Sequence, residues 1–282
     1  DLEQLALFAL NYPSIEQFLS DVVLSEGFRG EIRNKEEKYD AVYIVISTIP
    51  SGATIRRAWL YWGGYLKNVN ATQMSEIVFD GTTINTGTTP ASAMIGTEDP
   101  TGKPPPRETY RADVSSLLDV GGNGTYLVES PHDEKDLFGA SLVIVYEDSS
   151  IEDGTVVIND GHAMVSNKFP AKVTGGSSYG STVTGLNLAD PPNGQFTIVI
   201  SEGTAQDENE VTFSGASSHN YGDFASNSDG GVWDDIKIDV DHYIDKDTTS
   251  VTGTLADLDD YGAYSHYFLN IFQTAYKKGE LL

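Results

Sequence analysis

The sequence predicts a mainly β protein, an antiparallel β-sandwich of jelly-roll type with a short helical segment before it. Three observations carry that prediction. Apolar runs of strand length recur at 28–34, 41–48, 53–62, 75–79, 125–130, 139–147, 155–159, 182–187, 195–201, 209–214, 233–241, 249–255 and 264–276. Turn chemistry separates them, in IPSGA, DGTT, VGGNGT, EDSSIEDG, NDGH, DPPNG and SNSDGG. Beyond residue 24 no helical period of useful length returns, DVSSLLDV (113–120) being the one candidate.

The first 24 residues read differently. Leu2, Leu5, Leu7, Phe8 and Leu10 suit a short helix, which NYPS breaks. Ser14 with Gln17 three residues on forms a capping-box pattern for a second helix, whose apolar side carries Ile15, Phe18, Leu19, Val22 and Val23. Gly27 ends it. Residues 1–27 are thus expected as a helical segment, either a plug on its own core or an arm that docks on a neighbouring subunit. Residues 28–282 form the β-sandwich domain, with any division into two lobes near 166–182, where Gly, Ser and Thr accumulate. The loop at 97–109 is rich in Pro and expected to be exposed, and no internal repeat is visible.

Four strand segments break the alternation expected of a half-exposed strand: VYIVIST (42–48), FGASLVIVYED (138–148), FTIVIS (196–201) and YFLNIF (267–272). Each would be apolar on both faces. Burying large apolar side chains is worth roughly 1.5–3 kcal/mol apiece, too much to leave to solvent. A two-sheet sandwich covers inner faces only. The second faces are expected to lie under the N-terminal helices, long loops or another subunit.

With 42 acidic and 17 basic residues the formal net charge is −25. An excess of that size argues against nucleic acid or an anionic membrane as a partner. It suits a self-repelling soluble protein, a cation-binding one or one adapted to salt. Cysteine is absent, so no thiol or disulfide chemistry is available. No apolar run reaches the length of about 18 residues that a transmembrane helix needs. Asp1 opens the chain without a secretory signal pattern, as a processed chain would.

Candidate sites are few. GSSYG (176–180) matches the nucleophile-elbow pattern around Ser178, but a Gly/Ser loop before it and an alternating strand after it are the wrong context. His132, His162, His219, His242 and His266 show no zinc spacing. In VWDDIKIDVDHYIDKD, alternation places Asp235, Lys237, Asp239 and Asp241 on one face and Ile236, Ile238 and Val240 on the other. Neighbouring carboxylates on one face repel unless a bound cation or Lys237 relieves them. Calcium takes six to eight oxygen ligands, and Asp239, Asp241, Asp257, Asp259, Asp260, Asp223, Asn227 and Asp229 are the candidate ligands. The alternative is a plain solvated acidic face. Asn70 and Asn123 head N-glycosylation triplets, which count only if the chain is exported.

A further set of segments occurs in a telling order: IPSGATIRRAWLYWGG, IVFDGTTI, YRADVSSLL, GNGTYLVE, GASLVIVYEDSS and VVINDGHAMV, then WDDIKIDVDHYI and YFLNIFQTAY. In this order they resemble an uncharacterised, secreted β-domain family of bacterial and archaeal cell-surface proteins, especially those of methanogens. The resemblance spans residues 28 to 276 and implies an extracellular domain of surface layers, adhesins or appendages. It implies no catalytic residue. The expected function is a non-catalytic, extracellular structural protein that self-assembles at the cell surface into an assembly or filament, stabilised by calcium. One alternative is a glycan-binding, adhesive module that presents Tyr61, Trp62, Tyr65 and Trp233 to sugars. A carbohydrate-active enzyme is the third reading.

Overall fold

A computed structural model of the chain describes residues 41–66, 73–98, 107–131, 135–149, 154–167, 170–201, 209–223, 233–257 and 265–275, the last as backbone. The expected helical segment 1–27 and strand 28–34 lie outside these residues. The described strands in chain order are β1 (Ala41–Ile46), β2 (Thr54–Leu66), β3 (Ile77–Phe79), β4 (Thr82–Ile84), β5 (Ala93–Glu98), β6 (Arg107–Asp113), β7 (Gly124–Glu129) and β8 (Lys135–Glu147). They continue as β9 (Gly154–Val165), β10 (Ser178–Thr184), β11 (Gly194–Ser201), β12 (Asn209–Ser214), β13 (Ser218–Asp223), β14 (Trp233–Asp239), β15 (Ser250–Asp257) and β16 (Ser265–Ala275).

The strands form four four-stranded sheets, ordered β1-β7-β3-β4, β5-β6-β2-β8, β14-β11-β16-β9 and β10-β15-β12-β13. Every strand pairing within them is antiparallel. The first two sheets use β1 to β8 alone and the last two β9 to β16 alone, so membership changes within residues 148–153, not near 166–182. Counting β9 to β16 as one to eight gives the orders six-three-eight-one and two-seven-four-five, which is a jelly roll. The first half repeats this plan. Its β1, β2, β3, β4, β6, β7 and β8 occupy the places of β10, β11, β12, β13, β14, β15 and β16. β5 is an addition outside β6, and no described strand stands where β9 would. The fold is therefore duplicated in topology although the sequence shows no repeat, because side-chain period and turn chemistry define the plan without requiring the same residues.

Local chemistry explains the strands. In β2, Ala58, Leu60 and Trp62 enter the core of the first jelly roll, while Trp59 and Tyr61 point the opposite way. Trp62 stacks on Tyr110 at 5.8 Å and its indole N–H donates to Met74 O at 2.9 Å. Between β3 and β4 the chain reverses over Asp80 (φ 46°) and Gly81 (φ 77°), the residue pair a two-residue hairpin of the right twist requires. In β15, Val251, Gly253 and Leu255 alternate inward, and Gly253 leaves the space that the Phe196 ring fills. The DVSSLLDV segment is not helical. Asp113 ends β6, Val114 O accepts from Leu117 N–H in a turn, and Ser115 Oγ accepts the Ala58 N–H at 2.8 Å. That tie to β2 outweighs a weak helical tendency. The Pro-rich region from 97 to 109 also gives way to strand at both ends, and Thr109 is buried.

The two jelly rolls pack face to face through their inner sheets, with β5 over β9 and β8 over β14. A third core lies between them, made of Tyr61, Phe138, Val199 and Trp233 and flanked by Trp59, Ile95, Val143 and Ile158. This seam explains the strands with two apolar faces. Ala140, Leu142 and Ile144 of β8 face the first core and Phe138 and Val143 the seam; Phe196, Ile198 and Ile200 of β11 face the second core and Val199 the seam. For these two strands the cover is the chain's own second sandwich. VYIVIST differs, because Tyr43 and Val45 on the outer face of β1 remain exposed. Two glycines permit the close approach of the inner sheets. A Cβ at Gly139 would overlap Trp233 Cγ and Cβ, and one at Gly96 would overlap His162 Cβ. Replacing Gly139 by Val should therefore cost about 1–3 kcal/mol in denaturant unfolding, with altered Trp fluorescence. A Gly139→Val protein of unchanged stability would show that the seam is not tightly packed.

Candidate functional site

The seam carries a set of polar contacts that run from one sandwich to the other. At its β9 side, Asp160 pairs with Arg111 of β6 and accepts from the Tyr61 hydroxyl at 3.2 Å. Burial foremost, then the Asp160 charge, pushes the Tyr61 phenol well above its ordinary value. Two residues on, His162 Nδ1 shares a hydrogen bond with Thr109 Oγ1 at 2.8 Å. Burial, helped by the charge of Arg107, lowers this imidazole to about 4 and keeps it neutral at pH 7. At the β14 side, Trp233 Nε1–H donates to Ser141 Oγ at 2.9 Å, and Ser141 donates to Asp235 Oδ1 at 3.3 Å. These groups clamp one sheet to the other. A cleft lies elsewhere among the described residues.

That cleft is open and lined by Asn193, Gly194, Gln195, Asp239 and Asp241, where β11 begins and β14 ends. Asp241 Oδ1 accepts the Gly194 N–H at 2.6 Å, and Asp239 Oδ1 accepts the Asp241 N–H at 3.0 Å. Both carboxylates thus brace the backbone as β14 turns out of its sheet. An aromatic cluster stands near. His219 of β13 stacks on Tyr243 at 4.9 Å with 17° between the rings, and Tyr221 meets each edge-on. Burial first, then Tyr243, pushes the Tyr221 phenol up to about 12, and the Asp239 charge adds to the rise. An aromatic surface beside carboxylate and amide groups is the chemistry that holds a polyhydroxylated ligand.

The structure separates the residues that the sequence singled out. Tyr61, Trp62 and Trp233 are at most 4% exposed and present no ring face to a sugar. Strand alternation sends them into the first core and the seam, which corrects their assignment as glycan platforms. The Tyr65 side chain lies outside the described residues, as do Asn70, Asn227, Asp229, Asp259, Asp260 and the Asp223 side chain. Of the metal candidates, Asp239 and Asp241 meet at the cleft. Asp257 does not join them. It is 3% exposed and its Oδ2 accepts the Asn167 N–H at 2.7 Å, holding the connection between β9 and β10. Among the described residues no three His, Asp or Glu side chains come together in a way that could hold a metal ion. Asn123 Oδ1 accepts the Ile49 N–H at 3.0 Å while its Nδ2 donates to Ile49 O at 2.8 Å. The nitrogen that a glycan would occupy is thus part of a loop clamp. Ser178 opens β10 and is exposed, with strand after it and no helix. Among the described residues no helix is long and apolar enough to cross a membrane, which leaves strand-based crossing unaddressed.

Sequence reading missed His219, Tyr221 and Tyr243. The alternation in SHNYGD was available, but only pairing with β12 and contact with the turn after β14 bring the three rings together.

The family model described as "Protein of unknown function (DUF3344)" matches residues 20–273, and the chain belongs to that family. No curated protein matches. Among solved structures, the chain is similar to the major capsid protein P2 from bacteriophage PM2, at 9% identity and a TM-score of 0.23, over 86% of this chain and 94% of that one. A score so low decides nothing about fold or function.

His162 makes the seam sensitive to acid. Its folded value lies below its ordinary 6.5, so the unfolded chain binds the extra proton between the two. Its contribution to stability is complete above pH 6.5 and is lost as pH falls towards 4, by up to about 1.4 kcal/mol per pH unit for one proton. His162→Asn, which keeps a partner for Thr109, should flatten the dependence of unfolding free energy on pH in that window. An unaltered slope would remove His162 from the acid response.

Proposed function

We propose that this member of the DUF3344 family is a non-catalytic structural subunit of an extracellular, cell-surface assembly or filament. The observation that carries the proposal is the seam. Two jelly rolls are joined by a continuous apolar core, Tyr61, Phe138, Val199 and Trp233, whose polar margins are bonded across the sheets. An interface built that way resists shear and holds two sandwiches as one block, the property a load-bearing subunit needs. The strongly perturbed groups of the seam are engaged in holding the sheets together, a use in structure and not in turnover. Exposed Tyr43 and Val45 on the outer β1 face offer apolar surface for contact between subunits. The surface charge of a −25 chain keeps free subunits apart until such contacts form.

A second reading rests on His219, Tyr221 and Tyr243 beside the Asp239 and Asp241 cleft, and makes the protein a glycan-binding, adhesive module. One preparation separates the two. Under the assembly reading, electron microscopy and light scattering show ordered polymers of the purified chain, and a glycan array gives no signal. Binding by a monomer that His219→Ala and Tyr243→Ala abolish would replace the assembly reading with the adhesive one.

Calcium stabilisation is proposed on narrower ground, the pair Asp239 and Asp241 at the mouth of the cleft. Two carboxylates fall short of six to eight oxygens, so water or further side chains complete any such site. A ligand bound only by the native state raises its stability with concentration. Calcium should raise the Tm above that in chelator, where sodium at equal ionic strength does not. Superimposable melting curves would end the calcium proposal and leave the assembly one standing.

A further inference from the structure

Among the described residues, the strand pairings and the turn bonds between main-chain groups each stay within one half of the chain. Side chains make the bonds that cross: Tyr61 and Arg111 to Asp160, Thr109 to His162, and Ser141 to Trp233 and Asp235. Each sandwich also closes a core of its own. Thirteen described buried residues make the first and fourteen the second, against four in the seam. The seam therefore has the least burial to lose, and a partial opening costs least along it.

His162 stands where the halves come closest. A Cβ on Gly96 of β5 would fall 2.1 Å from His162 Cβ, and Nδ1 shares its 2.8 Å bond with Thr109 Oγ1. Among the described side chains, four groups that carry or can carry charge face it. They are Arg107 and Arg111, on either side of Thr109 along β6, Asp160 on β9 and Tyr61 on β2. The closest residue of β5 is the uncharged Gly96. Asp160 is engaged by Arg111 and Tyr61. A proton on His162 adds a cation to the gap, where burial and the charge of Arg107 both oppose it. Parting the sheets returns the imidazole to water and removes that penalty.

We infer that the seam is a pH-sensitive joint, along which the two jelly rolls part in mild acid while each stays folded. The inference concerns a single chain and stands whether or not chains assemble. Its sign follows from which form takes the proton. The closed form holds His162 at about 4, against the ordinary 6.5 of an imidazole in water, so the open form binds the proton first. The ratio of closed to open is highest above pH 6.5 and falls by up to about tenfold per pH unit below it. Acid also weakens repulsion within a chain of net charge −25, which favours closing. A control must therefore keep every carboxylate and change the imidazole alone.

The chain contains no cysteine, so a single introduced thiol reports on its own site. Val199 and Ile198 are neighbours on β11, both buried, the first facing the seam and the second the core of its jelly roll. Val199→Cys and Ile198→Cys are made in the full chain, and thiol labelling is followed from pH 7.5 to 5. Protection is the labelling rate of an unstructured peptide thiol at the same pH divided by that of the protein. For Val199→Cys, protection should fall about 30-fold between pH 6.5 and 5. Ile198→Cys should stay better protected throughout, with the far-UV circular dichroism unchanged. Adding His162→Asn should abolish the fall, and adding Arg107→Gln, which removes the opposing charge, should reduce it. Equal protection of the two thiols, changing together with pH, would mean that the chain opens only by unfolding and would overturn the inference. A pH-independent Val199→Cys, or a fall that survives both His162→Asn and Arg107→Gln, would overturn it too.

Discussion

Everything in this architecture depends on the inner sheets having two faces to bury. A strand such as Ala140 to Tyr146 cannot be stable in water with Val143 and its neighbours exposed, and a single sandwich covers only one side of it. The protein meets that constraint by stacking its own two sandwiches. The order of layers follows directly: outer sheet, core, inner sheet, seam, inner sheet, core, outer sheet. The outer sheets can then keep polar residues outward, and β10 and β15 do so with Thr182 and Thr252, whose hydroxyls bond to each other at 2.8 Å.

The seam also explains features that would look arbitrary in either half alone. β5 is an extra strand in the first jelly roll, and it lies over β9, which would otherwise show its seam-facing side to water. Gly96 in β5 is the point where His162 fits, and Gly139 in β8 is where Trp233 fits. Polar residues at the margins have partners across the gap, Arg111 with Asp160 and Ser141 with Trp233 and Asp235. A buried donor or acceptor left alone would cost about 1–3 kcal/mol. The low value of the His162 imidazole belongs to the same account, since a charge there would have to leave water for an apolar gap.

Function is read from what the seam leaves over. The seam groups are engaged with one another, and among the described residues the exposed face of β1 and the Asp239 and Asp241 cleft with aromatic rings nearby lie outside it. The assembly role is proposed on that ground. The acidic positions that looked like a metal constellation in one dimension divide in three. Asp257 staples a connection, while Asp239 and Asp241 brace the exit of β14.

The sequence by itself determined the fold class, because alternation, strand length and turn residues are local properties. The Asp80-Gly81 turn, the antiparallel strands and the inward set Ile238 and Val240 were all legible in it. So was the anomaly of strands with two apolar faces, although not its cause. Only the tertiary structure decided that a second sandwich covers β8 and β11, that the halves share one topology and divide after β8, and that Tyr61, Trp62 and Trp233 are core. It also assembled His219, Tyr221 and Tyr243 from two separate stretches of chain. The physical reason is the same in each case. Periodicity reports which side of a strand is apolar, whereas what lies against that side depends on contacts between residues far apart in the chain, which no local pattern encodes.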